Sequence, residues 1–145
     1  MNTSSITHPA LSQSMEKALL TIAFLYSIIV TVYLWGIIAM HQPVWPLPAL
    51  YFLELVLLPG IALLSAMHAW PRRMHLTAMA AGVTTSFAAL SLFSIGLYYA
   101  PLALLLLIGA ALSRHAAHQS LPALFGIFVL GAAAQALGIL LLATA

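Results

Sequence analysis

Long apolar runs, broken by short polar stretches, fill the chain from Ala18 to its last residue. About 20 apolar residues suffice to cross a bilayer as a helix. On that measure there are five such segments, at 18–40, 48–69, 75–94, 96–113 and 121–144. The stretches between them hold residues that stop helices. His41 to Pro48 contains Pro43, Pro46 and Pro48, each lacking a backbone N–H and fixed in φ. Trp70-Pro71-Arg72-Arg73 closes the second segment, and Arg114 to Ser120 precedes the fifth.

The third and fourth segments follow from length. From His75 to Ser113 there is no Asp, Glu, Lys or Arg. A single helix over these roughly 39 residues would be ~58 Å long, nearly twice the hydrocarbon thickness. The stretch is therefore expected to fold back on itself, with its turn near Ser94-Ile95-Gly96. A kink is expected at Pro59-Gly60, where proline removes a backbone hydrogen bond and crowds the carbonyl of Leu55. Residues 1–17 read as a short polar tail. Within it Ser14 can cap the first helix, and Glu16 then favours the positive end of the helix dipole.

Composition fits this reading. Of 145 residues, 64% are hydrophobic and only 4% charged, against roughly 25% charged in soluble domains. Six charged side chains cannot cover a soluble surface, so most of the solvent is lipid. The net charge of +2 comes with no basic cluster beyond Arg72-Arg73, and nucleic acid is not expected as a partner. The absence of cysteine excludes disulfides, thiolate metal sites and cysteine nucleophiles. The first apolar run, about 23 residues, is longer than the ~7–15 of a signal-peptide core and is expected to be a retained span.

The expected fold is thus all-α: a polytopic membrane bundle of five helices over 18–145, behind a cytoplasmic tail at 1–17. Charge sets its orientation. With the N-terminus inside and the C-terminus outside, Lys17, Arg72, Arg73 and Arg114 all fall on the cytoplasmic side, as the positive-inside rule requires. Trp35, Trp45, Tyr98 and Tyr99 then lie near the outer interface and Trp70 near the inner one. A bacterial plasma (inner) membrane is the expected location.

Two stripes of small residues recur at helical spacing: Ala78, Gly82, Thr85 and Ala89 in the third segment, and Gly131, Ala134, Gln135 and Gly138 in the fifth. Small residues let backbones approach closely, which drives helix association in lipid. They are read as packing faces within the chain, or alternatively as an oligomer interface.

Glu54 is the ionisable residue well inside a segment, ~9 Å below the outer boundary at ~1.5 Å per residue. A carboxylate there must face the bundle or water and find a partner. Thr31, Thr85, Ser86 and Gln135 lie at roughly similar depth, whereas no Lys or Arg does, so a hydrogen bond is expected rather than an ion pair. The functional reading is a proton or cation site at Glu54, with Thr31 and Gln135 beside it. The other reading is a bond that locks two helices.

The histidines point less clearly. His41 lies at an outer helix end, His68, His75, His115 and His118 lie at inner ends, and His8 is in the tail. His115 and His118 share a helix face at i, i+3, but two ligands do not make a site, and neither metal nor cofactor is expected. There is no HExxH, P-loop, GxSxG elbow or pair of acids, so catalysis is not expected. The primary functional expectation is a membrane protein without catalytic activity. It would be an accessory, assembly or stabilising subunit of a membrane complex, or a self-associating bundle. Its partners would be the lipid bilayer, other membrane subunits or further copies of itself. The alternative is a small oligomeric transporter or channel using Glu54.

Orientation can be read by thiol labelling on a cysteine-free background. Single cysteines at Pro43 and Ala145 should react with an impermeant reagent from outside, and one at Ala116 should not. Labelling at 116 with protection at 145 would mean that the third and fourth segments are not separate spans.

Overall fold

The computed structural model describes residues 8–41, 47–117 and 120–144. They form α1 (His8–Ala39), α2 (Leu47–Met67), α3 (Arg73–Leu90), a π-helical turn (Leu92–Gly96), α4 (Leu97–Ala117) and α5 (Leu121–Thr144). No strand occurs among the described residues. Trp45, His118, most of the 41–48 loop and the labelling positions 43 and 145 lie outside them, as do residues 1–7 of the tail.

α1 starts ten residues before the expected boundary, so Ser14 and Glu16 are interior helix positions and neither caps it. The reason is visible in its buried stripe. Glu16, Leu20, Ala23, Ser27, Val30 and Leu34 are buried at alternating steps of four and three, the seam of a packed helix. The polar opening is the lower end of that seam. α2 buries Phe52, Leu55, Pro59, Ala62 and Ala66 at the same spacing and stays helical through Pro59. It ends where Ala69 turns to φ 50° and the Trp70 N–H reaches back to the Ser65 carbonyl at 2.9 Å, a Schellman closure.

α3 ends at Leu90, and Ser91 begins the reversal. The Ser91 carbonyl accepts both the Ser94 and Gly96 N–H groups, at 2.9 and 2.8 Å. Glycine is required at 96, because a Cβ there would sit 2.3 Å from the Ala88 carbonyl oxygen. The expected turn residues, Ser94 to Gly96, lie in this π-helical stretch, while α3 ends four residues short of the expected 94.

The helices pack antiparallel in chain order. Phe24 meets Gly60 and Trp35 meets Phe52 across α1 and α2. Tyr51 packs on Phe87 across α2 and α3. Thr77 lies by Gly109, and Phe87 meets Tyr99 edge-on, across α3 and α4. α1 also packs on α4, closing a ring of four helices. α5 lies outside the ring, mainly against α3.

Four helices, α1, α2, α4 and α5, are long and apolar enough to cross a membrane. α3 is the exception, since Arg73, His75, Thr77, Thr84, Thr85 and Ser86 dilute it. It is also the most enclosed helix, with ten of its residues buried, from Met74 to Ala88. A helix wrapped by others needs small residues rather than greasy ones.

The α3–α5 contact is made by Gly82 and Gly131. A Cβ on Gly82 would lie 2.1 Å from the Phe128 carbonyl oxygen, and one on Gly131 would lie 2.6 Å from that of Met79. Ala78 is buried beside them, as is Gln135 further along α5, but three members of the expected stripes stand outside this close approach. Ala89 and Ala134 are exposed, and a Cβ on Gly138 would meet nothing within 4 Å. α3 and α5 nonetheless share the most extensive helix-to-helix contact among the described residues.

Gly82→Ala and Gly131→Ala should each destabilise the bundle by about 2–3 kcal/mol, the scale of overpacking against an unyielding neighbour. Gly138→Ala and Gly126→Ala should cost nothing, since both positions are open. Unfolding in mixed micelles measures this. Equal stability of all four variants would remove the glycine crossing as the α5 attachment.

Candidate functional site

Two acids define the polar interior. Glu54, on the part-buried side of α2, accepts a hydrogen bond from Gln135 Nε2 on α5 at 3.2 Å. Of its candidate neighbours, Gln135 is the one brought to it. Thr31 instead shares a 2.9 Å hydrogen bond with the Tyr99 hydroxyl on α4. Thr85 has a buried hydroxyl without a partner among the described residues, and Ser86 is half-buried. Of the expected trio, Glu54 and Gln135 are hydrogen-bonded to each other, while the Thr31 hydroxyl is paired with Tyr99.

The second acid is Glu16, expected in the polar tail beside the positive end of the first helix. It is fully buried. The Ser113 hydroxyl on α4 donates to its Oε1 at 2.5 Å, and Arg73 Nε on α3 lies 3.8 Å from the same oxygen. Arg73, expected as one of the four cations that set orientation, is only 12% exposed and lies against this carboxylate. Three helices thus meet at one carboxylate. Glu16 has a further electrostatic task. α3 has no acid in its first turn and no side-chain cap, and it begins with an arginine against its own positive dipole end. A carboxylate from α1 offsets both charges.

Glu16 was missed because it was counted from the N-terminus. Counting back from Leu20 along the buried seam of α1 lands on it. Ser113 likewise extends the buried positions Leu102, Leu106 and Gly109 of α4.

Some polar atoms in this region lack partners. Glu16 Oε2, Ser12 Oγ and His75 Nδ1 are buried with none among the described residues. Ser12 precedes Glu16 by one turn of α1, so the two share a face. The other described imidazoles point back at their own helices. His41 Nδ1 lies 2.9 Å from the Ile37 carbonyl oxygen, and His68 Nδ1 lies 3.0 Å from that of Leu64. The His115 side chain and His118 lie outside the described set. Among the described residues no three His, Asp or Glu groups converge as metal ligands.

The remaining cations surround the same end. Arg72 is exposed, while Lys17 and Arg114 are half-buried. Far from it, Tyr26, Leu92, Ser94, Leu97 and Tyr98 line an open cleft of about 370 Å³ at the α3–α4 turn. Neither acid borders that cleft.

No family model, curated protein or solved structure matches this chain. Its chemistry must be argued from these contacts alone.

Glu16→Ala should destabilise the bundle by about 3 kcal/mol, because it leaves Arg73 enclosed without a counter-charge. Ser113→Ala should cost only about 1 kcal/mol, one hydrogen bond. The double variant Glu16→Leu/Arg73→Leu should recover most of the first loss, since the pair's desolvation goes with it. A double variant no better than Glu16→Ala in a micelle unfolding assay would show that the two side chains are not energetically coupled.

Proposed function

We propose that the chain is a five-span membrane protein without chemistry of its own, acting as an accessory, assembly or stabilising subunit or as a self-associating bundle. In this reading the N-terminus faces the cytoplasm, the C-terminus faces outward, and the location is a bacterial plasma membrane.

The fifth span is α3. Apolarity is needed only where a helix meets acyl chains, and α3 is wrapped by α2, α4 and α5. The hairpin joining it to the long apolar α4 requires it to cross as well. Alternating directions then bring Lys17, Arg72, Arg73 and Arg114 to one side, which the positive-inside rule makes cytoplasmic.

The observation that carries the non-catalytic reading is the hydrogen bond from Gln135 to Glu54. It ties α5, which otherwise rests on α3, to α2. The other acid is likewise spent on helix-to-helix contacts. Acids used as clamps leave no inventory for acid–base work.

The alternative, an oligomeric transporter with Glu54 as its proton or cation site, is favoured by one feature. Glu54 is half-buried rather than enclosed, so its carboxylate is within reach of water or of a neighbouring copy.

Glu54 separates the two. As a clamp, Glu54→Gln should be nearly silent, because the amide still bonds Gln135, and Glu54→Leu should lower stability by about 1–2 kcal/mol by stranding it. A subunit role adds that a gentle-detergent pull-down recovers stoichiometric membrane partners or further copies of the chain. If Glu54→Gln instead abolished a pH- or cation-dependent flux in proteoliposomes while the fold stayed intact, the transporter reading would replace the first.

A further inference from the structure

Glu16, Arg73 and Ser113 do more than close the bundle. They bring three helices to one level at one corner, and the chain's other cations are their direct neighbours in sequence. Lys17 follows Glu16 on α1, Arg72 precedes Arg73 at the start of α3, and Arg114 follows Ser113 on α4. All four Lys/Arg residues of the chain therefore lie at, or next in sequence to, this one three-helix junction. Among the described residues, Arg73–Glu16 is the one ion pair. Lys17, Arg72 and Arg114 are left without an acid to balance them.

We propose that this corner binds the phosphodiester headgroup of an anionic phospholipid. Cations from three different helices, on side chains several ångströms long, can close on one phosphate from several directions. Arginine suits this because its planar fork of donors matches phosphate oxygens. The buried Glu16 holds Arg73 at the bundle end and sets the level at which the other three cations stand. It acts as a positioning residue rather than a ligand, since a carboxylate repels phosphate.

Neighbouring apolar side chains decide for a lipid over a free anion. Trp70, three residues before Arg73, is 49% exposed, and Met15, next to Glu16, is 56% exposed. An indole beside arginines marks the headgroup level of a membrane, and exposed apolar side chains there contact the upper acyl chain. A soluble phosphate would gain nothing from them. Basic pockets between transmembrane helices on the cytoplasmic side hold acidic headgroups in just this setting.

The inference rests on the membrane-spanning reading but not on whether the protein is a subunit or a transporter. Its test uses the full chain purified in neutral detergent. Added phosphatidylglycerol should raise Tm by about 4–8 °C, the scale expected for ligand occupancy of a small domain, whereas phosphatidylcholine and inorganic phosphate should not. Lys17→Gln/Arg72→Gln/Arg114→Gln should lose that increment. Equal shifts with phosphatidylcholine, an equal shift with inorganic phosphate, or an increment retained by the triple variant would each overturn the proposal.

Should the triple variant fail to fold, fluorescence of a Trp35→Phe/Trp45→Phe chain decides. Its one indole, Trp70, should be quenched by brominated phosphatidylglycerol at a several-fold lower mole fraction than by brominated phosphatidylcholine. Identical quenching curves would refute headgroup selection. Thiol labelling that contradicted the orientation would be a failure of the membrane reading, distinct from any of these outcomes.

Discussion

A helix that carries an arginine, a histidine and several hydroxyls cannot face acyl chains unaided, and the bundle is arranged to cover it. α3 carries hydroxyls along its length and an arginine and a histidine at its start. Exposed to acyl chains, each would cost free energy that no apolar neighbour could offset. Surrounded by α2, α4 and α5, it instead needs close approach, and its run of Ala and Gly provides that. Gly82 and Gly131 set how near α5 can come, and the Gly96 turn sets how near α4 can begin. The long apolar helices face lipid because the least apolar one does not.

The hydroxyls divide into two groups by what they bond. Thr21, Ser27, Ser65, Thr77 and Thr84 donate to carbonyls three or four residues back on their own helices. Such bonds satisfy the group without specifying a neighbour. A much smaller set crosses between helices. Glu16–Ser113, Thr31–Tyr99 and Tyr26 to the Tyr98 carbonyl join α1 to α4 at both ends of their contact. Glu54–Gln135 joins α2 to α5. Apolar packing in lipid tolerates sliding, because Leu against Leu is much like Leu against an acyl chain. Polar pairs at fixed depth resist it, so these few bonds set the register.

Element existence was legible because spanning length and proline placement are strong constraints. The loop prolines, the charge-free stretch from His75 to Ser113 and the small-residue stripes each follow from local physics. What was not legible needed a partner helix. Nothing local says that Glu16 faces inward, since an acid near an N-terminus reads equally well as a cap. The decision comes from Ser113 and Arg73, each more than fifty positions away in sequence. Ala89, Ala134 and Gly138 erred in the opposite direction. Helical spacing puts small residues on one face, but which of them meet the neighbouring helix depends on the crossing, which one helix alone does not encode. Gln135 was found because few polar groups exist at that depth.

The two acids differ in what surrounds them, and the difference follows from depth. Glu16 stands at the bundle end, where α3 begins with an arginine, so a charged partner is at hand to offset the burial of the carboxylate. Glu54 lies among residues with no cation at its level, where a second charge would have to be desolvated as well. A neutral amide donor avoids that cost while supplying the hydrogen bond the carboxyl requires. An arginine at position 135 would have added Coulomb attraction but also a charge on α5, the helix least enclosed by the others. Glutamine is the partner that a peripheral helix can carry through lipid, and it ties α5 to α2 in addition to the extensive face that α5 shares with α3.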